Sequence, residues 1–333
     1  MTNKNNITSL DLFRGVAGYG VAISHFYYYL FNSEKFQFYS IFFVEFFFVL
    51  SGFVLYPQLK KVYDDNQNLK IFYLRRWLRT IPIFIVALLC YSIIFSKFDS
   101  DTLKYLFFIQ KIKQDFLSLD YFSVAWSLSI EEFFYFLFPL MLIYFNRINF
   151  LKILLIFISL VYLLKILYLY QGQDEEFYRT GTFLRLDSIA FGVLTRIYFE
   201  KIKNIYFNVF FLVIIMIILD SYLSDLKNLT SIELFIFVFL SQVFSINSII
   251  IFIKGDKFLD HFKLKSFFSL LAKQTYSIYL FHFSIIYLIS MNPSFLKIKF
   301  LIIIYICILF ILSSFCYYLF EKKIVENRPQ YKV

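Results

Sequence analysis

Residues 9–26, SLDLFRGVAGYGVAISHF, open the first apolar stretch of the chain and carry Arg14 and His25 into it. Eleven positions at ~100° each make three turns plus ~20°, with a rise of ~16 Å. The two polar side chains therefore share one helix face, three turns apart. That spacing suits a ligand gripped at one end and reacting at the other. Stretches of this apolar character recur along the 333 residues, of which 60% are hydrophobic and 23% aromatic. Mean hydropathy is +0.69, a balance that excludes an ordinary soluble globular protein.

Windows of ~20 apolar residues are long enough to cross hydrocarbon. The sequence predicts an all-α, polytopic transmembrane helix bundle of about ten spans. They run roughly over 10–31, 38–57, 77–97, 122–145, 150–170, 184–199, 205–222, 231–253, 267–290 and 300–320. Arg14 and the lack of a small-residue cleavage pattern argue against a cleavable signal peptide at the first window. Loops are short, so one integral-membrane domain over residues 1–333, with no separate soluble domain, is expected. Cys90, Cys307 and Cys316 all fall in apolar windows and form no metal-ligand spacing, so no metal is expected.

The net charge of +10 is a topology signal rather than a mark of nucleic-acid binding. With the N-terminus inside, about twenty Lys and Arg collect on the inner side against about nine outside. The inner set includes Lys60, Lys61, Lys70, Arg75, Arg76, Arg79, Lys254, Lys257, Lys263, Lys265, Lys322, Lys323 and Arg328, while the acidic cluster Asp174, Glu175, Glu176 falls outside. Both termini are thus expected in the cytoplasm.

Ionisable groups within spans are rare, costly and by default functional. Measured from the outer end of its span at ~1.5 Å per residue, His25 lies ~9 Å deep, Glu45 ~10 Å, His282 ~12 Å and Glu131 ~13 Å. Helices distant in sequence thus bring two histidines and carboxylates to nearly one level. At the inner side, FYLRRWLRTIP puts Arg75, Arg76 and Arg79 within one patch. Arginine's planar fork suits phosphate, although positive-inside anchoring explains any one of the three equally well. In FFVEFFFVLSGF, Ser51-Gly52 suits close helix contact or a bend, with a nucleophilic Ser51 the lesser alternative. In WSLSIEEFFYFLFPL, Glu131 and Glu132 lie ~100° apart and face different partners. LRLDSIAFG sets Arg185 and Asp187 near the outer mouth, lining an acceptor entrance or simply sitting at the interface, and Lys165 is expected to snorkel.

These blocks resemble, in order and over nearly the whole chain, the acyltransferase-three family of multi-pass membrane acyltransferases, which O-acetylate bacterial surface glycans. SLDLFRGVAGYGVAISHF is similar to its Arg-x10-His opening and VEFFFVLSGFVL to its Phe-Phe-x-x-Ser-Gly block. RRWLRTIP, WSLSIEEFFYFLFPL, RLDSIAFGVL, TYSIYLFHF and the tail YYLFEKKIVENRP resemble its later blocks. Glu45 stands where many relatives carry Asp, which keeps the carboxylate, and the soluble C-terminal domain of some members is not expected here.

The resemblance implies transfer of an acyl group, acetyl first among candidates, from cytoplasmic acyl-CoA to a hydroxyl of a surface glycan or glycolipid. The acceptor would be an O-antigen lipopolysaccharide, exopolysaccharide or similar polymer. Its setting would be the bacterial cytoplasmic (inner) membrane, with lipid, acetyl-CoA and the acceptor as partners. His25, Glu131 and His282 would be catalytic. His25 would act as general base oriented by Glu131, or as an acyl-carrying nucleophile; His282 would orient the acceptor or serve the oxyanion. Arg14, Arg75, Arg76 and Arg79 would hold the donor's phosphates, and Glu45, Ser51, Trp126, Arg185 and Asp187 would bind substrate. An intramembrane His/Glu set also suits a proton-coupled exporter, and that alternative stays open.

Overall fold

The computed structural model describes residues 8–171, 174–202, 204–223, 229–256 and 264–331. Of the basic residues assigned to the inner side, Lys257 and Lys263 lie outside the described residues. The described residues form helices and turns, with no strand among them. In chain order the helices are α1 (Thr8–Phe31), α2 (Glu34–Asp64), α3 (Asn68–Ile94), α4 (Ser100–Leu106), α5 (Trp126–Tyr144), α6 (Phe150–Tyr170), α7 (Glu175–Thr180), α8 (Leu186–Tyr198) and α9 (Ile205–Asp220). They continue with α10 (Ser231–Lys254), α11 (Lys265–Ser290), α12 (Leu301–Cys316) and α13 (Lys322–Glu326).

A helix lies over each of the ten expected spans, and six stretches are long and apolar enough to cross a membrane: α2, α3, 123–144, α6, α10 and 301–326. The others fall short for physical reasons. Helix α8 has 13 residues, a rise of ~20 Å against a hydrocarbon core of ~30 Å. Helix α9 is apolar but has only 16 residues. Helices α1 and α11 have the length, 24 and 26 residues, but polar and small side chains dilute their apolar runs. Outward faces are apolar: Leu160, Leu163 and Leu167 of α6, Phe207, Phe210 and Ile217 of α9, and Ile304, Ile308 and Ile311 of α12 are all exposed. A surface of that kind is solvated by lipid tails.

Two compact units divide the chain, 1–47 with 201–229 and 236–319, and 48–200 with 230–235 and 320–333. In the first, α1 lies along α11. Gly15 and Gly18 let them close: a Cβ on either would stand 2.9 Å from Leu271 or Thr275. Ala22, Phe26, Ile278, Ile285, Tyr305 and Leu309 fill the seam with α12. The Tyr305 hydroxyl donates to the Ala22 carbonyl at 3.2 Å.

In the second unit, α2 and α8 meet backbone to backbone. A Cβ on Gly52 would sit 1.9 Å from the Ile189 carbonyl oxygen, and one on Gly192 would sit 2.0 Å from that of Val49. Of the two readings of Ser51-Gly52, close helix contact is the one observed, through the small-residue approach favoured where no water drives helices together. Beyond α3, α4 is capped by Asp99, and Asp101 ties down the segment that follows. Burial pushes the Asp101 carboxyl up, but bonds from Lys104, Ser118 and the Leu119 and Ser118 amides outweigh it and hold it at about 2. It is therefore ionised at neutral pH and clamps residues 118–119 to α4.

Replacing Gly192 by Ala is expected to lower the melting temperature in detergent by about 5 °C, because a backbone oxygen cannot step aside as a side chain can. Gly255→Ala, whose Cβ would meet nothing nearer than 3.3 Å, is the control. Equal melting points for the two variants would show that α2 and α8 do not touch as described.

Candidate active site

Helix α1 is unbroken through Arg14 and His25, which preserves their ~16 Å separation along one face. Arg14 stands 3.8 Å from Asp11, one turn earlier. His25 Nδ1 lies 2.9 Å from His282 Nε2, the two rings stacked at 5.1 Å. His282 Nδ1 faces the carbonyl oxygens of Tyr279, at 2.7 Å, and Ile278, at 3.2 Å. Carbonyls only accept, so this nitrogen carries the proton. With both rings neutral, His282 Nε2 is then the acceptor and His25 Nδ1 the donor. The hydrogen-bond pattern thus assigns the lone pair of His25 to Nε2. A chain from backbone carbonyl through His282 to His25 fixes the tautomer, the service that a carboxylate gives in a serine-protease triad.

The orientation that the sequence reading gives to Glu131 is supplied at His25 by His282. Glu131 itself, in the second unit, accepts from the Ser51 hydroxyl at 2.7 Å and from the Tyr135 hydroxyl at 3.0 Å. Its neighbour Glu132, turned to another side as the ~100° offset requires, accepts from Thr80 at 2.8 Å. Glu45 is buried within α2. Trp126 starts α5 and meets Phe48 edge-on at 5.8 Å.

Near the start of α3, Arg75, Arg76 and Arg79 gather as expected, and a fourth guanidinium joins them. Burial and then the charges of Arg79, Arg75 and Arg76 pull the Arg328 guanidinium down to about 10. The Nε atoms of Arg75 and Arg76 are buried without a hydrogen-bond partner. Arg75 Nη1 donates to the Pro329 carbonyl at 2.6 Å, its guanidinium lies 5.1 Å from the Tyr331 ring, and the Tyr331 hydroxyl donates to Gln58. The tail thus folds over the cluster. Crowded like charges with unused donors are an anion site in waiting.

Arg185 and Asp187 are buried rather than interfacial. Arg185 donates to the Ser188 hydroxyl at 3.3 Å. Lys165 does not snorkel: it is 1% exposed and paired with Asp187, itself 0% exposed. The tight packing of α6 on α8 leaves its ammonium no path to water, and a buried cation requires a carboxylate. Sequence reasoning missed Lys165 and Arg328 as site-forming residues. Their depth and charge were visible, but their partners lie on helices that only the fold brings together. Among the described residues no group of three or more His, Cys, Asp or Glu side chains converges.

Comparison with known proteins agrees with the blocks read above. A family model described as an acyltransferase domain matches residues 7–322. A protein of Staphylococcus aureus (strain COL) with an inferred O-acetyltransferase name is 29% identical over 60% of this chain and 36% of its own length. A similarly named protein of Staphylococcus aureus (strain MSSA476) is 31% identical over 48% of this chain and 31% of its own. The peptidoglycan O-acetyltransferase OatA of Listeria monocytogenes serovar 1/2a is 31% identical over 31% of this chain and 20% of its own. The alignments thus span about a third or less of these relatives. No solved structure matches. With the family model covering residues 7–322, the chain belongs to the family of membrane acyltransferase domains.

Proposed function

We propose that the protein is a membrane O-acyltransferase that moves an acyl group, acetyl first among candidates, from acyl-CoA to a hydroxyl of a cell-surface glycan. The observation that carries this reading is the His25–His282 pair, whose bonding leaves His25 Nε2 as a base. The base takes the proton of the acceptor hydroxyl as its oxygen attacks the thioester carbonyl; the new ester forms, the C–S bond breaks, and the thiolate leaves with coenzyme A. The imidazolium formed at His25 is held by the lone pair of His282 Nε2. Within the first unit Arg14, three turns away on the same face, and within the second the cluster of Arg75, Arg76, Arg79 and Arg328 each offer positive charge of the kind that a coenzyme A head requires. Glu131, whose charge reaches Arg76, is bonded by Ser51 and Tyr135, and in this reading it keeps that cluster in register.

The family match and the names of the relatives support an acetyl group, and the peptidoglycan enzyme among them supports a glycan acceptor. Ten spans in a bacterial cytoplasmic membrane, with both termini inside, fit the helix positions and the loop charges.

Purified protein in lipid nanodiscs, given labelled acetyl-CoA and soluble wall-glycan fragments, should place label in the glycan. Movement of glycan across liposomes without label would instead support an exporter. His25→Ala should lower turnover at least ~10²-fold with donor affinity kept. His282→Gln, whose amide oxygen can accept from His25 Nδ1, should retain more activity than His282→Ala. A His25→Ala variant that keeps more than about a tenth of turnover would remove the base from this mechanism.

Arg328→Gln should raise the donor KM about tenfold and leave kcat unchanged, the loss of one charge-assisted contact. An unchanged KM in steady-state kinetics would leave Arg328 as a tail anchor.

A further inference from the structure

Helix α3 separates two polar regions of the second unit. Arg76 lies 18 residues before Ile94, the last residue of α3, a rise of ~27 Å. The arginine cluster belongs to the first end. At the other end, the segment after α4 and helix α7 enclose a half-open pocket of about 160 Å³. Its walls are fixed. The Thr182 amide donates to the Lys111 carbonyl at 2.9 Å, the Tyr168 hydroxyl donates to Gln114 Oε1 at 3.2 Å, and Lys111 pairs with Asp120 at 2.9 Å.

The lining mixes the amides of Gln110 and Gln114, the exposed carboxylates of Asp115 and Glu176, and the rings of Phe116 and Phe177. Four carboxylates stand there against two lysines, a balance that repels phosphate and other anions. Gln110 supplies an independent sign of a ligand. Its side chain is 1% exposed and is oriented by an Nε2 bond to the Ala125 carbonyl at 2.9 Å. Its Oε1 is buried with no partner. A buried amide oxygen left unpaired is costly, and Gln110 lines the pocket, so a turn of its side chain would let a hydroxyl there complete it. Oriented acceptors, amide donors and ring faces, in a space for about one ring, are the chemistry that recognises a sugar.

We propose that this pocket is a subsite for a neutral or amine-bearing sugar unit of the acceptor glycan, bound at the end of the second unit opposite the arginine cluster. The proposal rests on the acyltransferase reading and names its acceptor side. With the Gln110 side chain turned toward it, the sugar's hydroxyl donates to Oε1, Glu176 and Asp115 accept from further hydroxyls or an ammonium, and Phe177 packs against a ring face.

The test uses the full chain in nanodiscs with soluble wall-glycan fragments, read both by acetyl-transfer kinetics and by saturation-transfer NMR of the fragments. Gln110→Met and the exposed change Glu176→Gln should each raise the glycan KM about tenfold, leave the acetyl-CoA KM unchanged and weaken the NMR signal. Inorganic phosphate should give no competition. Glu176→Gln covers the case in which Gln110→Met fails to fold. If the wild type transfers acetyl while both folded variants keep the glycan KM within twofold, the subsite assignment is overturned. If the wild type transfers nothing, the enzyme reading fails, and the NMR arm still decides the pocket: signal lost in Glu176→Gln supports it, and no signal from the wild type overturns it.

Discussion

The bond from the Ser51 hydroxyl to Glu131 shows the constraint under which the whole chain is built. A polar side chain carried into hydrocarbon meets no water, so its partner must come from the protein, and the partner fixes where it points. Glu132 finds Thr80, Lys165 finds Asp187 and His25 finds His282. Each pairing joins different helices and so restricts how they pack. The Gly52 and Gly192 contact serves the same end, since it brings α2 and α8 together without a side chain between them. Polar groups placed in this way are preorganised, which is the condition for chemistry at a defined distance.

In the proposed reaction the histidine pair is where that constraint becomes function. The backbone carbonyls of Tyr279 and Ile278 have one turn of α11 as their source. By accepting from His282 Nδ1 they decide which nitrogen of His25 is left as a base, two hydrogen bonds away. A carboxylate would do this with a full negative charge. A second imidazole does it without placing a net charge in a dry site, where an unpaired charge is expensive. In the other unit charge is concentrated instead of avoided: four guanidiniums share one end of α3, and the Nε donors of two of them, Arg75 and Arg76, are buried and unused. A polyanionic ligand would relieve that repulsion.

Much of this was legible in the sequence. Apolar windows located a helix at each expected span, and at six of them the stretch is long and apolar enough to cross a bilayer, a length that strongly constrains composition. Counting rise per residue put His25 and His282 at similar depth, and the structure sets their nitrogens 2.9 Å apart. Arg75, Arg76 and Arg79 were grouped by i+3 and i+4 spacing alone. What the sequence could not show were partners on other helices. Depth carries no information about direction in the membrane plane, so Glu131 could not be assigned to Ser51, or Lys165 to Asp187. Arg328 was visible only as a tail charge until the chain end folded over α3. Gln110 had no signal at all, since an amide in a loop is ordinary until its burial and its orphaned oxygen are seen.

The proposed reaction is vectorial: in it the donor binds at the arginine end of the second unit and the glycan at the opposite end of that unit. Proteoliposomes of one orientation, verified by protease access to a C-terminal tag, test it directly. Labelled acetyl-CoA is offered on one face and glycan fragments on the same or the other face. The account predicts labelled glycan only when acetyl-CoA is on the face that carries the C-terminal tail and the glycan is across the membrane. Equal labelling with both substrates on one face would contradict it.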